Sequence, residues 1–215
     1  MMHKYVGFLI LILISCSSEK VDLYSDTISR FKVDYQGDSL VIGKLNFKET
    51  KIYDENDRLI TKQTYDKNGM MRGQENIIYK KNNAGSEYRL LDNTLLSTYE
   101  YKYEEGFLLE KKSFDGSTNE LLRIEQYSYD DDGNQIEKII MNSEEIISRV
   151  FKFAYDGYGN ELGFSAFDDS GKLLILETYK ITELDEQNRW IKKYTERDSL
   201  IRSYYERKIE KINNN

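Results

Sequence analysis

Residues 129–139 read YDDDGNQIEKI and residues 155–162 read YDGYGNEL, and the same order of tyrosine, aspartate, turn residues and aliphatic recurs along the chain. It appears at Tyr53-Asp54 with Asn56-Asp57, at Tyr79 with Asn82-Asn83 and at Tyr103 with Glu105-Gly106. It returns at Tyr129, at Tyr155 and, with leucine as the anchor, at Leu184-Asp185 with Asn188. The anchors are spaced by 26, 24, 26, 26 and 29 residues. Periods of this size mark arrays of supersecondary units that bury their apolar faces only by stacking on one another.

A second signal lies halfway between the anchors, at Tyr65–Gly69, Phe114–Asn119 and Phe167–Gly171, with a weaker copy at Tyr194–Ser199. Each is followed by Met, Leu or Ile, so the unit is one strand and one turn of about thirteen residues, twice per repeat. Asn-Gly, Asp-Gly and Gly-Asn supply the positive φ of tight hairpins, and a preceding aspartate can bond the amides of the turn. Between the turns the residues alternate: Tyr127 and Tyr129 share one face, and so do Phe151, Phe153 and Tyr155. Period two means strand.

The chain contains no proline, eighteen tyrosines, one cysteine and one histidine. Aromatic enrichment favours strands. The expected fold is an all-β, meandering antiparallel array of about six hairpin repeats, forming a single curved sheet or open ribbon over residues 51–203. Residues 28–50 read as a divergent capping hairpin, and residues 204–215 as a C-terminal strand or short helix with a tail. Helix competes with strand only at residues 143–150 and 204–212.

The first residues are of another kind. Lys4 precedes an apolar run from Val6 to Ile14, too short to span a bilayer as a helix. A charged start, a short apolar middle and a small residue form an export signal, here residues 1–15. Leu13-Ile14-Ser15-Cys16 resembles the lipobox of bacterial lipoproteins, which implies that Cys16 becomes the first mature residue and carries lipid. Residues 16–27 would then tether the fold to the membrane. A lone cysteine forms no internal disulfide, so the fold rests on its core.

The repeats YDDDGNQIEKI, YDGYGNELGF and LDEQNRWIKKY resemble the YD-repeat or RHS-like proteins, above all the short repeat-bearing envelope lipoproteins of Gram-negative bacteria. The resemblance covers roughly residues 48–202. It implies antiparallel hairpins wound into a ribbon or shell, an outer-membrane address and, as one activity, carbohydrate binding. The large members enclose a toxin with dozens of repeats, which about six repeats cannot do.

Catalytic chemistry finds little material. His3 lies in the leader, so the mature chain lacks the parts of a Ser-His-Asp, Cys-His or histidine-bearing zinc site. A calcium loop starting at Asp130 would need glycine at 135 and glutamate at 141, where the chain has Gln135 and Met141. No phosphate loop opens a helix, and a formal charge of −7 with interspersed signs argues against nucleic acid. No catalytic residue, metal or cofactor is therefore assigned.

The residues point instead to a non-catalytic binding or scaffolding protein, held to the membrane through Cys16. Its partner would be an envelope protein or, alternatively, a glycan stacked on exposed tyrosines. A carboxylate-dependent glycan hydrolase is a further alternative. The candidate ligand surface is Tyr99, Tyr101, Tyr103, Tyr127, Tyr129 and Trp190, which serve as core instead if they point inward.

Overall fold

A computed structural model describes residues 23–37, 39–80 and 83–212. Cys16 and the leader lie outside the described residues. Fourteen strands follow one another: β1 (Leu23–Gln36), β2 (Ser39–Tyr53), β3 (Leu59–Tyr65), β4 (Met71–Lys80), β5 (Asn83–Leu90), β6 (Leu95–Glu104) and β7 (Phe107–Asp115). The second half comprises β8 (Leu121–Tyr129), β9 (Gln135–Met141), β10 (Ile147–Tyr155), β11 (Glu161–Phe167), β12 (Leu173–Leu184), β13 (Trp190–Arg197) and β14 (Leu200–Ile212).

Each strand pairs antiparallel with its neighbours in sequence, and β1 pairs with β14, so the sheet is a closed barrel. The expectation of a single curved sheet or open ribbon is corrected by this seam, which runs in register from Leu23 opposite Ile212 to Lys32 opposite Ser203. Closure satisfies two rows of backbone groups that an open array would leave bare. Asp26 fastens it, receiving hydrogen bonds of 2.7 to 3.1 Å from the Arg207 guanidinium. Residues 204–212 belong to β14, as strand throughout.

The turns explain the repeat. At Asp54 the backbone N–H donates to the Arg58 carbonyl at 3.0 Å, and the Asp57 N–H donates back to the Asp54 carbonyl at 3.1 Å. The Asp54 carboxylate meanwhile accepts the N–H groups of Asn56 and Arg58. The same bonds recur at Asp130, Asp156 and Asp185, and at the other end of the barrel at Asp66 and Asp168. The fourth residue of each turn is left-handed, as in Asp57 (φ 58°), Gly133 (φ 84°) and Asn188 (φ 58°). A turn closed by such a residue forces a bulge into the returning strand, and the register slips there.

Three of the tyrosines before these turns lock one hairpin onto the last. Tyr79 donates its hydroxyl to the Leu59 carbonyl at 3.0 Å, Tyr129 to Leu108 at 3.0 Å, and Tyr155 to Gln135 at 2.9 Å. These rings gather at one end of the barrel, the tyrosine end, where β1 also begins.

Candidate functional site: the lumen and its two rims

Contacts that skip a strand identify the concave face, because side chains converge inside a barrel and splay outside it. The Tyr101 hydroxyl on β6 reaches Glu75 on β4, Thr64 on β3 meets Tyr88 on β5 at 2.7 Å, and the Tyr79 and Tyr103 rings lie 5.8 Å apart. This face carries Glu75, Ser86, Tyr99, Tyr101, Lys111 and their register partners. It is the lumen wall.

The wall mixes rings with paired charges. Lys62 binds Glu49 at 2.8 Å, Arg123 lies 3.1 Å from Glu125, and Tyr127 donates to Glu125 at 2.7 Å. Lys111 sits 3.9 Å from the centre of the Tyr99 ring, and Lys193 sits 3.7 Å from that of Tyr179. Burial pushes the Lys193 amine down to about 8, against the partial support of Glu161. Burial, reinforced by Glu75, holds the Tyr101 hydroxyl far above its ordinary range. Such a wall suits polar or aromatic contacts.

Among the sequence candidates, Tyr99, Tyr101 and Tyr103 form one inward row on β6, with ring centres 6.3 and 6.4 Å apart. Tyr127 and Tyr129 share the lumen face on β8. Trp190 stands apart at the start of β13, only 7% exposed, its ring covered by Lys193 at 4.4 Å and Arg207 at 5.4 Å. None of the six is exposed. The rings are thus available only to something that enters the barrel.

The outward face decides how the barrel meets its solvent. Glu87, Glu100, Lys102, Gln126, Lys152, Lys180 and Glu206 are all exposed in mid-strand. A membrane-spanning barrel needs an apolar band about 25 Å tall on this face. Charged side chains interrupt such a band here, beside the exposed Ile78 and Leu176 of the same face. Among the described residues, no helix is long and apolar enough to cross a membrane.

Exposed aliphatics are most numerous at the end opposite the tyrosines, although Ile78, Phe107, Ile136, Tyr158, Leu162 and Leu184 are exposed near the tyrosine end. Met70 (65% exposed), Leu91, Leu96, Leu122, Ile146, Leu174 and Leu200 stand in or just after successive turns around this rim. Periodicity marks an aliphatic after these turns, but period alone offers no reason to leave it bare. The bulge after the left-handed residue is that reason, because it places two neighbouring residues, such as Leu173 and Leu174, where one partner sits across the ladder.

No family model matches the chain, and no curated protein matches it. Among solved structures it is similar to a porin-like protein from Bacteroides uniformis ATCC 8492, at 12% identity and a TM-score of 0.48, over 86% of this chain and 97% of that one. It is also similar to a chain of the Photorhabdus luminescens Tc holotoxin pore, at 17% identity and a TM-score of 0.32, over 84% of this chain and 11% of that one. A chain of the TcdB2-TccC3 complex without its hypervariable C-terminal region matches at 16% identity and a TM-score of 0.31, again over 84% and 11%. The chain spans about a tenth of the length of these toxin chains.

Proposed function

We propose that this is a lipid-anchored outer-membrane protein whose water-exposed barrel presents a binding rim to an envelope protein partner, without catalysis. The observation that carries the reading is the ring of bare aliphatics at one end of a barrel whose outer wall is polar. Exposed apolar groups concentrated in this way mark an interaction surface.

The strand order gives the rim its direction. Leu23 begins β1 at the tyrosine end, and Cys16 precedes it by seven residues. Seven residues reach at most about 25 Å. A lipid on Cys16 therefore holds the tyrosine end near the membrane and turns the aliphatic rim away from it, toward a partner. The lipobox-like residues 13–16 support the anchor, and the polar outer wall supports a barrel held beside the bilayer instead of within it.

The test is mild cross-linking in the native envelope, followed by purification of the lipidated chain and mass spectrometry. One near-stoichiometric protein should accompany it and be lost from a Leu122→Asp, Leu174→Asp variant. Both side chains are exposed, so the fold should survive the change. Recovery of the chain alone, or a partner retained by the variant, would overturn the reading.

A further inference from the structure

Most lumen cations have an acidic neighbour, as in the pairs of Lys62 with Glu49, Arg123 with Glu125 and Arg207 with Asp26. The pattern breaks at the mouth on the aliphatic side. Arg30 and Lys32 from β1, Arg197 from β13, and Arg202 and Tyr205 from β14 surround a cavity of about 500 Å³. Register puts Arg30 opposite Tyr205 and Lys32 opposite Ser203, which in turn faces Thr195. Two small hydroxyl residues thus stand between the cations where larger ones would fill the space.

The acidic groups here are too few. Glu177 takes the Arg197 Nη2 at 2.8 Å, and Asp198 lies 3.8 Å from Arg202. Arg30 is held by the Asn46 amide oxygen at 2.6 Å, once that amide is turned to face it, and forms no ion pair among the described residues. Neither does Lys32. The Arg197 Nε is buried with no hydrogen-bond partner, although buried donors are nearly always satisfied. In a chain of net charge −7, a surplus of positive charge in a concave site is a local arrangement, not a result of composition.

We propose that this mouth binds an oxyanion, a carboxylate or phosphate group, between Arg30, Lys32 and Arg197, with the Ser203 and Thr195 hydroxyls as further donors. Guanidinium forks match the paired oxygens of such groups. The site needs neither the lipid anchor nor a protein on the rim.

Calorimetric titration of the full chain in detergent, at constant ionic strength, tests this with inorganic phosphate and, separately, with glucuronate. Saturable binding of at least one probe is expected. Binding of phosphate alone would identify a phosphate group as the natural anion, and binding of glucuronate alone a carboxylate. Arg197→Gln and Arg30→Gln should each weaken it at least ten-fold, whereas Arg89→Gln on the outer wall should leave it unchanged. Lys32 forms no side-chain hydrogen bond or ion pair among the described residues, so Lys32→Gln keeps the fold and should weaken binding several-fold even if the arginine variants unfold. No saturable binding of either probe, or equal affinity in Lys32→Gln and the unaltered chain, would overturn the proposal.

Discussion

The Trp190 backbone N–H donates to the Asn160 side-chain oxygen at 2.9 Å, across thirty residues of sequence. The same amide gives its nitrogen protons to Asp156 at 3.0 Å within its own turn and to the Asn188 carbonyl at 2.8 Å in the next hairpin but one. Asn160 is 4% exposed, so one side chain joins two turns of the tyrosine end in a place water hardly reaches. Asn160→Ala should therefore cost about 2 to 4 kcal/mol, because it leaves a buried donor and acceptor unpaired. Urea unfolding followed by Trp190 fluorescence would measure it, and a loss under about 0.5 kcal/mol would contradict the bridge.

Fluorescence of the same tryptophan should report a lysine. Lys193 has its amine pushed from 10.5 down to about 8 by burial, and that amine lies over the Trp190 ring. Folded-state emission should titrate near pH 8 and stop doing so in Lys193→Met. The unfolded chain holds this proton up to 10.5, so stability should rise with pH between about 8 and 10.5. Lys193→Met should flatten that rise and add about 2 kcal/mol at pH 7.

The tyrosines set the opposite limit. Tyr24 and Tyr155 are pushed up from 10.0 to about 12, mainly by burial, and Tyr101, Tyr127 and Tyr179 further still. A hydroxyl harder to ionise when folded stabilises the fold fully below pH 10 and loses that contribution as pH rises through the folded value. Circular dichroism should fall between about pH 10 and 12, together with a cooperative rise in tyrosinate absorbance. The turn aspartates act at the acid end: Asp115 is held down at about 2 by hydrogen bonds from Ser117 and Thr118. Their contribution should be complete above pH 3.8 and disappear as pH falls toward 2.

The seam should be the most sensitive place for a single charge deletion. Arg207→Met leaves the buried Asp26 carboxylate without its partner, at a cost of about 3 kcal/mol. Hydrogen exchange should then quicken first in β1 and β14. Equal quickening in β7 and β8, on the far side, would show that the seam is no weaker than the rest.

A barrel that stands in water, as proposed, should carry no current. The purified full chain should produce no single-channel steps in planar bilayers, and Cys16→Ser should move the folded barrel to the soluble fraction. Stable conductance would contradict the reading of the outer wall.

The hairpin turns were legible because their chemistry is local. Asp130, Gly133 and Asn134 lie within five residues of one another, and the same bonds recur at Asp54, Asp156 and Asp185. Closure was not legible: nothing in the alternation of β1 or β14 marks Leu23 as the partner of Ile212, since an edge strand and a seam strand carry the same period. The tyrosines show a similar limit. Period two put Tyr99, Tyr101 and Tyr103 on one face but left open which side that face would be, and curvature answers it. The surplus of charge at Arg30 and Lys32 was hidden for the same reason, because it exists only once β1 meets β13 and β14 at one mouth.

Because β1 and β14 run antiparallel where they meet, the number of strands in this barrel must be even. A copy of the thirteen-residue unit, gained or lost, would bring two parallel strands to the join and replace its antiparallel ladder with a slanted one. The lineage of such a chain can therefore keep an all-antiparallel wall only by changing its girth in whole hairpins. The 26-residue spacing of the tyrosines is the smallest duplication that preserves that wall.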